Sequence, residues 1–322
     1  MPELRQDPIL GHWVVVAEER AKRPNQFASV LSTPSPTSCP FCVGHEDETP
    51  PPILSLPNEI DWRVRVVSNK YPALEMTATT ATSPAQPGFG AHEVIIESAD
   101  HITRTAELSI DQLTDVLTVY RDRLAERKMD SRLAYGLIFK NVGPAAGASI
   151  EHLHSQLLAT PMVPDVVQRE LDGAERFFAQ HDRCVFCDLL ERETDDAVRV
   201  VETTERFAAI CPYAGRFPYE TWIVPYKHAS HYEESVTDED LQQLAGLLRN
   251  VSIRLDHVLN QPDCNYVLHT APFDTNALAH YHWHIEIIPR VTTIAGFELG
   301  SGYFVNSTSP EHAAADLRET TC

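Results

Sequence analysis

Four cysteines form two C-x-x-C pairs, and several histidines follow each pair along the chain. The pairs are Cys39 with Cys42 and Cys184 with Cys187. Thiolate and imidazole are ligands that Zn²⁺ prefers, and paired cysteines with histidines downstream are typical of zinc sites. A thioredoxin-like redox motif is the alternative, but two pairs that both precede histidines favour zinc. The other thiols are interpreted as ordinary core or surface cysteines: Cys211, Cys264 and Cys322.

Two His-x-His motifs could carry out chemistry at phosphorus. They are His152-Leu-His154 and His282-Trp-His284, and an apolar, strand-like run follows each one. Side chains two residues apart on a strand lie on the same face, so one histidine can bind a metal ion while the other faces a substrate. A histidine that attacks phosphorus forms a covalent phosphoramidate and divides one transfer into two easier steps. The alternatives for His154 are a second metal ligand or a core histidine.

The loop before the first His-x-His motif indicates where a phosphate could bind. It runs from Asn141 to Ser149 and is rich in glycine and alanine. Such a loop lets backbone N–H groups approach an anion closely. The corresponding loop of the second motif, from Thr270 onward, lacks this glycine-rich sequence. The pattern therefore predicts a phosphate site beside His154 and disfavours a second active site at His284.

The charge balance narrows the class of partner. The chain has 322 residues, with 46 acidic against 26 basic side chains and a formal net charge of −20. Binding to a nucleic-acid polymer needs a basic face, so this balance argues against it. A local basic cluster of Arg20, Lys22 and Arg23 could still hold one nucleotide, with a solvated surface run as the alternative. The sequence contains neither a signal-peptide pattern nor a long apolar stretch, and we expect a cytoplasmic protein that does not contact a membrane.

A repeated order of elements predicts how these residues are positioned. Each half contains a C-x-x-C pair, a strand that ends in histidine, a helix, a further strand and a His-x-His strand. Five similar elements in the same order predict an α+β fold of two tandem halves, residues 1–160 and 161–322. The first strands end at His101 and His228, the helices cover 109–128 and 237–259, and the further strands cover 135–139 and 266–269. A helix is also expected near residues 167–178, and the polar C-terminal residues are expected to fray.

Five segments resemble the galactose-1-phosphate uridylyltransferase family, a branch of the histidine-triad superfamily. They are RAKRP at 20–24, CPFC at 39–42, WRVRVVSNKYPAL at 62–74, GAHEVIIES at 90–98 and NVGPAAGASIEHLHSQ at 141–156. The resemblance extends over essentially the whole chain and is more specific for the family than for the sugar. It implies two histidine-triad-like halves, each an antiparallel sheet with packed helices. A sister group of adenylyl-transferring sugar-nucleotide phosphorylases shares both C-x-x-C pairs.

The resemblance implies a ping-pong nucleotidyltransferase with His154 as nucleophile. His154 would take the uridylyl group from UDP-glucose and pass it to galactose 1-phosphate, while Gln156 bonds the transferred phosphoryl group. The family motifs place nucleotide contacts at Arg20, Arg23, Asn69, Asn141, Gly147 and Ser149. The implied partners are a nucleotide sugar, a hexose 1-phosphate and a second copy of the chain in a homodimer. Two alternatives stay open: an ADP-glucose phosphorylase-like enzyme and a non-catalytic nucleotide-binding sensor.

The resemblance also assigns metal ligands, with one or two Zn²⁺ ions per chain and iron as an alternative occupant of the second site. The first set is Cys39, Cys42, His101 and His152. The second set, which mirrors the first, is Cys184, Cys187, His228 and His282, with His231, His280 and His284 as competing ligands. Four nitrogen and sulfur ligands with no open position describe a structural zinc site.

One position departs from the family pattern. The family motif usually reads His-Pro-His, and Leu153 replaces the proline here. Proline fixes φ and removes an N–H group, so leucine restores a donor and is expected to loosen the backbone. We expect Leu153 to face outward on its strand and both neighbouring histidines to keep their roles.

Overall fold

The computed structural model describes residues 3–16, 39–78 and 87–320. Two predicted nucleotide contacts, Arg20 and Arg23, lie outside the described residues. The strands are β1 (Glu3–Gln6), β2 (Trp13–Val16), β3 (Pro52–Leu56), β4 (Val64–Ser68), β5 (Ala91–Ile96), β6 (Tyr135–Val142), β7 (His154–Thr160), β8 (Val200–Thr203), β9 (Phe207–Ile210), β10 (Thr221–Pro225), β11 (Cys264–His269), β12 (His284–Pro289) and β13 (Phe304–Asn306). The α-helices are α1 (Ile110–Lys128), α2 (Asp165–His181), α3 (Val185–Asp196), α4 (Tyr232–Ser235), α5 (Asp238–Val258), α6 (Gly296–Ser301) and α7 (Pro310–Glu319). Within these ranges, no helix is both long and apolar enough to cross a membrane.

One antiparallel sheet joins the two halves of the molecule. In the described part of the chain it has ten strands in the order β3-β4-β5-β7-β6-β11-β12-β10-β9-β8. The order is symmetric about its centre, where β6 of the first half pairs with β11 of the second. The predicted α+β fold of two tandem halves is confirmed. A second sheet of the described residues combines β1, β2 and β13.

Helices α1 and α5 cover one face of the large sheet and pack against each other. In α1 the apolar residues recur every three or four positions and are buried: Leu113, Val116, Leu117, Tyr120 and Leu124. Such spacing puts the side chains on one helix face, which explains why the sequence predicts this helix. Ser109 caps α1 by accepting a hydrogen bond from the Gln112 N–H, but the Gln112 side chain donates instead to the carbonyl oxygens of Arg63 and Glu97. Only half of the expected capping box is therefore present.

The opposite face of the sheet differs between the halves. In the second half, α2 and α3 pack over it and form an apolar cluster with Trp222 and Ile210, which the N-terminal Ile9 joins. In the first half, a smaller cluster around Phe41, Trp62 and Val94 covers only part of the face. The uncovered part contains a cavity. The two halves therefore share a fold but expose different faces.

Further local expectations were wrong. The first strands stop before His101 and His228, because β5 ends at Ile96 and β10 at Pro225. The predicted His-x-His strands begin only at the second histidine, because β7 starts at His154 and β12 at His284. Leu153 does not face outward: its side chain is 2% exposed, in the core under α1. Its N–H donates to the Ile102 carbonyl oxygen at 2.7 Å, so the donor that leucine restores is used and holds the backbone. The C-terminal residues form α7, because Ala313, Ala314 and Leu317 are buried along one helix face.

Candidate active site and metal centres

A cavity of about 420 Å³ opens on the uncovered face of the first half. Four of the predicted site residues line it: Asn69, Ser149, His154 and Gln156. Phe41, Val67 and Val94 supply apolar walls, and Glu48, Lys70 and Tyr71 stand among its polar and aromatic lining. Its volume falls in the range of small-molecule sites, which combine apolar walls with a few convergent polar groups.

His154 presents one defined ring nitrogen to this cavity. Its Nδ1 lies 2.8 Å from the backbone carbonyl oxygen of His152. A carbonyl oxygen only accepts, so Nδ1 carries the proton and Nε2 keeps its lone pair. Burial lowers the pKa of His154, whose exposure is 7%. The imidazole is therefore neutral near pH 7, which is the state that a nucleophile needs.

The first set of predicted metal ligands comes together beside His154. The ligand atoms of Cys39, Cys42, His101 and His152 all lie within 4.8 Å of one another. The Cys42 sulfur is 3.3 Å from His101 Nδ1, and the Cys39 sulfur is 3.5 Å from His152 Nδ1. The Nε2 of His152 donates to the Ser98 carbonyl oxygen at 2.9 Å, which leaves Nδ1 free to bind metal. Burial lowers the pKa of His152 to about 4. This donor set fits a tetrahedral metal ion.

The second set comes together in the same way. Cys184, Cys187, His228 and His282 also have their ligand atoms within 4.8 Å of one another. The Cys187 sulfur lies 3.4 Å from His228 Nδ1 and 3.6 Å from His282 Nδ1. His228 donates through Nε2 to the Leu278 carbonyl oxygen, whereas the Nε2 of His282, which corresponds to His152, has no hydrogen-bond partner among the described residues. Among the competing histidines, His231 is bonded to Ser230 and Pro272, and His280 contacts Phe178.

The glycine-rich loop uses its own N–H groups to close on itself. The N–H groups of Ala146 and Ala148 both donate to the Gly143 carbonyl oxygen, and that of Gly147 donates to Pro144. The Ala145 N–H donates to the carboxylate of Asp263 on the other half. These four groups are not available to a phosphate, contrary to the expectation of a backbone cradle. Of the three nucleotide contacts predicted in this loop, Asn141, Gly147 and Ser149, Ser149 lines the cavity. The loop therefore contributes to the cavity mainly through Ser149.

Asn141 is oriented by the second half of the molecule. It lies two residues after Phe139, which pairs with Gln156, so it shares a sheet face with Gln156. The Asn265 side chain donates to Asn141 Oδ1 at 2.8 Å and to the Ala146 carbonyl oxygen at 2.9 Å. The first of these bonds occupies the oxygen of Asn141 and leaves its NH₂ group outside this contact. Asn265 thus connects the loop and Asn141 across the β6–β11 pair.

Comparison with known proteins identifies the family. The chain matches the model of the galactose-1-phosphate uridyl transferase N-terminal domain over residues 58–164 and that of the C-terminal domain over residues 170–321. The chain belongs to the galactose-1-phosphate uridyl transferase family. It is 35% identical to an ADP-glucose phosphorylase of Arabidopsis thaliana, over 99% of this chain and 93% of that protein. It is 31% identical to a galactose-1-phosphate uridylyltransferase of Thermotoga maritima, over 99% of both.

Solved structures agree with the family assignment. The crystal structure of an ADP-glucose phosphorylase from Arabidopsis thaliana with bound ADP-glucose superposes with a TM-score of 0.90, at 34% identity and over 100% of both chains. A structure of uridylyltransferase superposes with a TM-score of 0.79, at 27% identity, over 99% of this chain and 98% of that one. Both likenesses cover the whole architecture of the fold, including the two halves.

This uridyl transferase family member also has a third cluster that sequence reasoning missed. Glu170 of α2 lies 3.2 Å from His269 Nδ1 and 3.4 Å from His284 Nε2, and all three residues are buried. The two imidazole rings stack at 4.6 Å between centroids. The signal for Glu170 was present, because it lies within the apolar stripe of α2 beside Leu171 and Ala174. The cluster covers the sheet face on which His284, the counterpart of His154, lies, so His284 is not exposed to a cavity.

Replacing Asn265 by alanine is expected to weaken nucleotide binding to this family member. The change removes two hydrogen bonds that fix Asn141 and the loop, and we expect about a tenfold rise in the dissociation constant. Isothermal titration with the nucleotide sugar measures it. Gln168→Ala, which removes an exposed amide from α2, is the control and should bind like the unaltered protein. Unchanged affinity in Asn265→Ala would show that Asn265 does not orient the site.

Proposed function

We propose that this chain is a nucleotidyltransferase that works through a covalent nucleotidyl-His154 intermediate. The observation that carries the proposal is the tautomer of His154, whose bonded Nδ1 leaves the Nε2 lone pair facing the cavity. Gln156 and Ser149 stand beside it and can donate hydrogen bonds to a phosphoryl group. Arg20 and Arg23 are proposed to bind the phosphates, and Asn69, Asn141 and Gly147 to contact the nucleotide.

The reaction has two balanced steps. In the first, Nε2 of His154 attacks the α-phosphorus of a nucleoside diphosphate sugar, and an N–P bond forms. The bond from the α-phosphorus to the bridging oxygen breaks, and the sugar 1-phosphate leaves with the electron pair. In the second, a phosphate oxygen of the acceptor attacks the same phosphorus, the N–P bond breaks, and neutral His154 is restored. Gln156 and Ser149 would stabilise the negative charge on the phosphoryl oxygens in both steps.

Two substrate pairs fit this chemistry. The first is uridylyl exchange between UDP-glucose and galactose 1-phosphate, which the family models and the Thermotoga maritima relative support. The second is transfer of an adenylyl group from ADP-glucose to inorganic phosphate. The Arabidopsis thaliana relative and its ADP-glucose complex support the second pair. A non-catalytic sensor is a weaker alternative, because a nucleotide site without chemistry does not require the defined Nε2 of His154.

We further propose that each of the two Cys/His sets holds one Zn²⁺ ion. Two thiols and two imidazoles, with one histidine ring of each set oriented by a backbone carbonyl oxygen, suit structural zinc. Such an ion would fix the backbone around each site. Iron is the alternative occupant of the second set.

The remaining parts of the proposal concern assembly and compartment. We propose a homodimer, a division into units at residues 1–160 and 161–322, and a cytoplasmic location. The six described cysteines form no disulfide, which suits a reducing compartment. Sedimentation at several concentrations tests the dimer directly.

Incubation with one donor at a time tests the proposed function. The protein is mixed with UDP-glucose or with ADP-glucose in the absence of an acceptor, and its intact mass is measured. We expect a stable nucleotidyl adduct on His154, located by peptide mapping, that galactose 1-phosphate or inorganic phosphate removes. A uridylyl adduct supports the first pair and an adenylyl adduct the second. Binding of both donors without an adduct would contradict the enzyme and support the sensor.

A further inference from the structure

A chain of hydrogen bonds reaches the catalytic cavity from the side opposite the metal set. The backbone N–H of Ala73 lies 3.0 Å from His92 Nδ1, and His92 Nε2 lies 2.7 Å from Gln156 Oε1. The Asn69 side-chain nitrogen is 3.1 Å from His92 Nε2 and 3.5 Å from Gln156 Oε1. Nothing in the family motifs assigned a role to His92.

The Ala73 contact determines the protonation of His92. A backbone N–H can only donate, so Nδ1 of His92 must accept and cannot carry a proton. A neutral imidazole protonated at one nitrogen then has its proton on Nε2. His92 therefore donates to Gln156, and the Asn69 nitrogen cannot also donate to Nε2. It shares the Gln156 oxygen instead, because Asn69 Oδ1 is occupied by the N–H of Tyr71.

These donors determine the orientation of the Gln156 amide. Two N–H groups point at the same oxygen, so a flipped amide would place NH₂ against NH and lose both bonds. The Gln156 NH₂ group must therefore face away from His92, on the side where His154 and the cavity lie. That orientation presents two donors to an anionic phosphoryl group and no acceptor.

The sheet register explains why His92 occupies this position. Val94 of β5 pairs with Gln156 of β7, and His92 lies two residues before Val94 on the same face. In the second half Trp222 pairs with Glu286, so Glu220 and Glu286 correspond to His92 and Gln156. There Glu286 accepts from Arg216, and no His–Gln pair is present at this place in the described second half. Among the described residues, the histidine–glutamine hydrogen bond at this register position is therefore found in the half that has the open cavity.

We propose that His92 is a positioning residue that locks the Gln156 amide in its phosphoryl-binding orientation. This inference rests on the proposed function, because Gln156 needs a fixed orientation only if it binds the group being transferred. His92 acts through Gln156 and does not touch the substrate. Asn69 lines the cavity wall together with Lys70 and Tyr71, and Asn69 and Ala73 are hydrogen-bonded to Gln156 and His92 respectively. Binding at that wall and phosphoryl binding therefore share one network.

A double-mutant cycle tests whether His92 acts through Gln156. The variants are His92→Leu, Gln156→Ala and their combination, and the rate of nucleotidyl-His154 formation is measured by rapid quench. We expect His92→Leu to slow this rate about tenfold, the loss of one hydrogen bond near a charged group, with KM changed by less than about threefold. The double variant should be no slower than Gln156→Ala alone. His92→Gln, which keeps a donor near the position of Nε2, should recover much of the rate.

Several outcomes would overturn the inference while leaving the proposed function intact. Multiplying rate losses in the double variant, or an unchanged rate in His92→Leu, would show that His92 does not act through Gln156. Equal losses in His92→Leu and His92→Gln would indicate a merely structural role. An unaltered protein that forms no adduct would instead contradict the proposed function. In that case the hydrogen-bond chain from Ala73 through His92 to Gln156 is tested by the ¹⁵N imidazole chemical shifts of His92. These should show Nε2 protonated and Nδ1 unprotonated, and the opposite tautomer would overturn the inference.

Discussion

His154→Ala should form no nucleotidyl adduct with any nucleotide sugar, and sugar exchange should slow by about 10⁴-fold or more. The variant removes the nitrogen that forms the N–P bond in the proposed first step. His152 Nδ1 faces the thiols, and its Nε2 is bonded to Ser98, so the neighbouring histidine has no nitrogen free to substitute. Alanine also leaves the cavity larger and the donor residues in place. Nucleotide binding should therefore change far less than the rate of transfer.

Metal content separates the nucleophile from a metal ligand in this experiment. Elemental analysis of His154→Ala should give the same metal per chain as the unaltered protein, because His154 Nδ1 contacts a carbonyl oxygen and not a thiol. His312→Ala is the matched control, since His312 is an exposed histidine on α7, and it should retain both adduct and metal. A variant of His154 that loses one metal ion would assign the residue to the ligand set.

Local patterns predicted the parts of the fold that depend on neighbours in sequence. The spacing of apolar residues alone predicts which face of α1 is buried, and Leu113 and Leu117 on that face are buried in the structure. Thr237 and Asp240 form a complete capping box at the start of α5, and the predicted helix begins there. The family resemblance named the four ligands of the first Cys/His set, and the repeated order of elements related the second set to the first.

Features that depend on register and on layers were not predictable in this way. Glu170 and His269 meet only because β11 pairs His269 opposite His284 and α2 covers that face. The sequence does not state which face a connecting helix covers. The hydrogen bond between His92 and Gln156 likewise needs the β5–β7 register. Leu153 was assigned outward, but it is in phase with Leu157 of β7, and α1 covers the sheet face on which both side chains lie.

The same physical difference would confine the proposed reaction to one half of the duplicated fold. Both halves contain a His-x-His motif, a C-x-x-C pair and a phenylalanine that contacts the second histidine, Phe41 in the first and Phe186 in the second. In the second half, Glu170 from α2 occupies the space beside His284, which is fully buried. A nucleotide cannot reach a nitrogen that is buried among charged partners. The uncovered sheet face therefore determines which half can react.

Cys42→Ser is expected to release one metal ion per chain and to destabilise the first half. Serine does not replace a thiolate ligand of zinc, and three remaining donors hold the ion weakly. Metal that binds only the folded state contributes about 4 kcal/mol to the free energy of unfolding when its free concentration is about 1,000-fold above its dissociation constant. The Cys42 sulfur contacts both His101 and His152, so its loss also frees the two rings. Elemental analysis and chemical denaturation measure the two effects.

The same variant should also slow nucleotidyl transfer, although Cys42 does not touch the nucleophile. His152 belongs to the ligand set through its ring, and its backbone carbonyl oxygen holds Nδ1 of His154 at 2.8 Å. Movement of His152 after metal loss would break the hydrogen bond from His154 Nδ1 to the His152 carbonyl oxygen. The Nε2 lone pair of His154 would then no longer be directed at the cavity. We expect a fall in the rate of adduct formation of about 10- to 100-fold, which is typical when a group that orients a reactive residue is lost.

Cys187→Ser is the matched control, because Cys187 has the corresponding position in the second set. It should also release one metal ion. The backbone carbonyl oxygens of the second set's histidines accept no hydrogen bond from a residue that lines the open cavity, so adduct formation on His154 should persist. Cys264→Ala, outside both sets, should retain all the metal. If Cys42→Ser and Cys187→Ser slow the transfer equally, the effect comes from general loss of stability. If only Cys42→Ser does so, the first metal set positions the nucleophile through the His152 carbonyl, as the geometry requires.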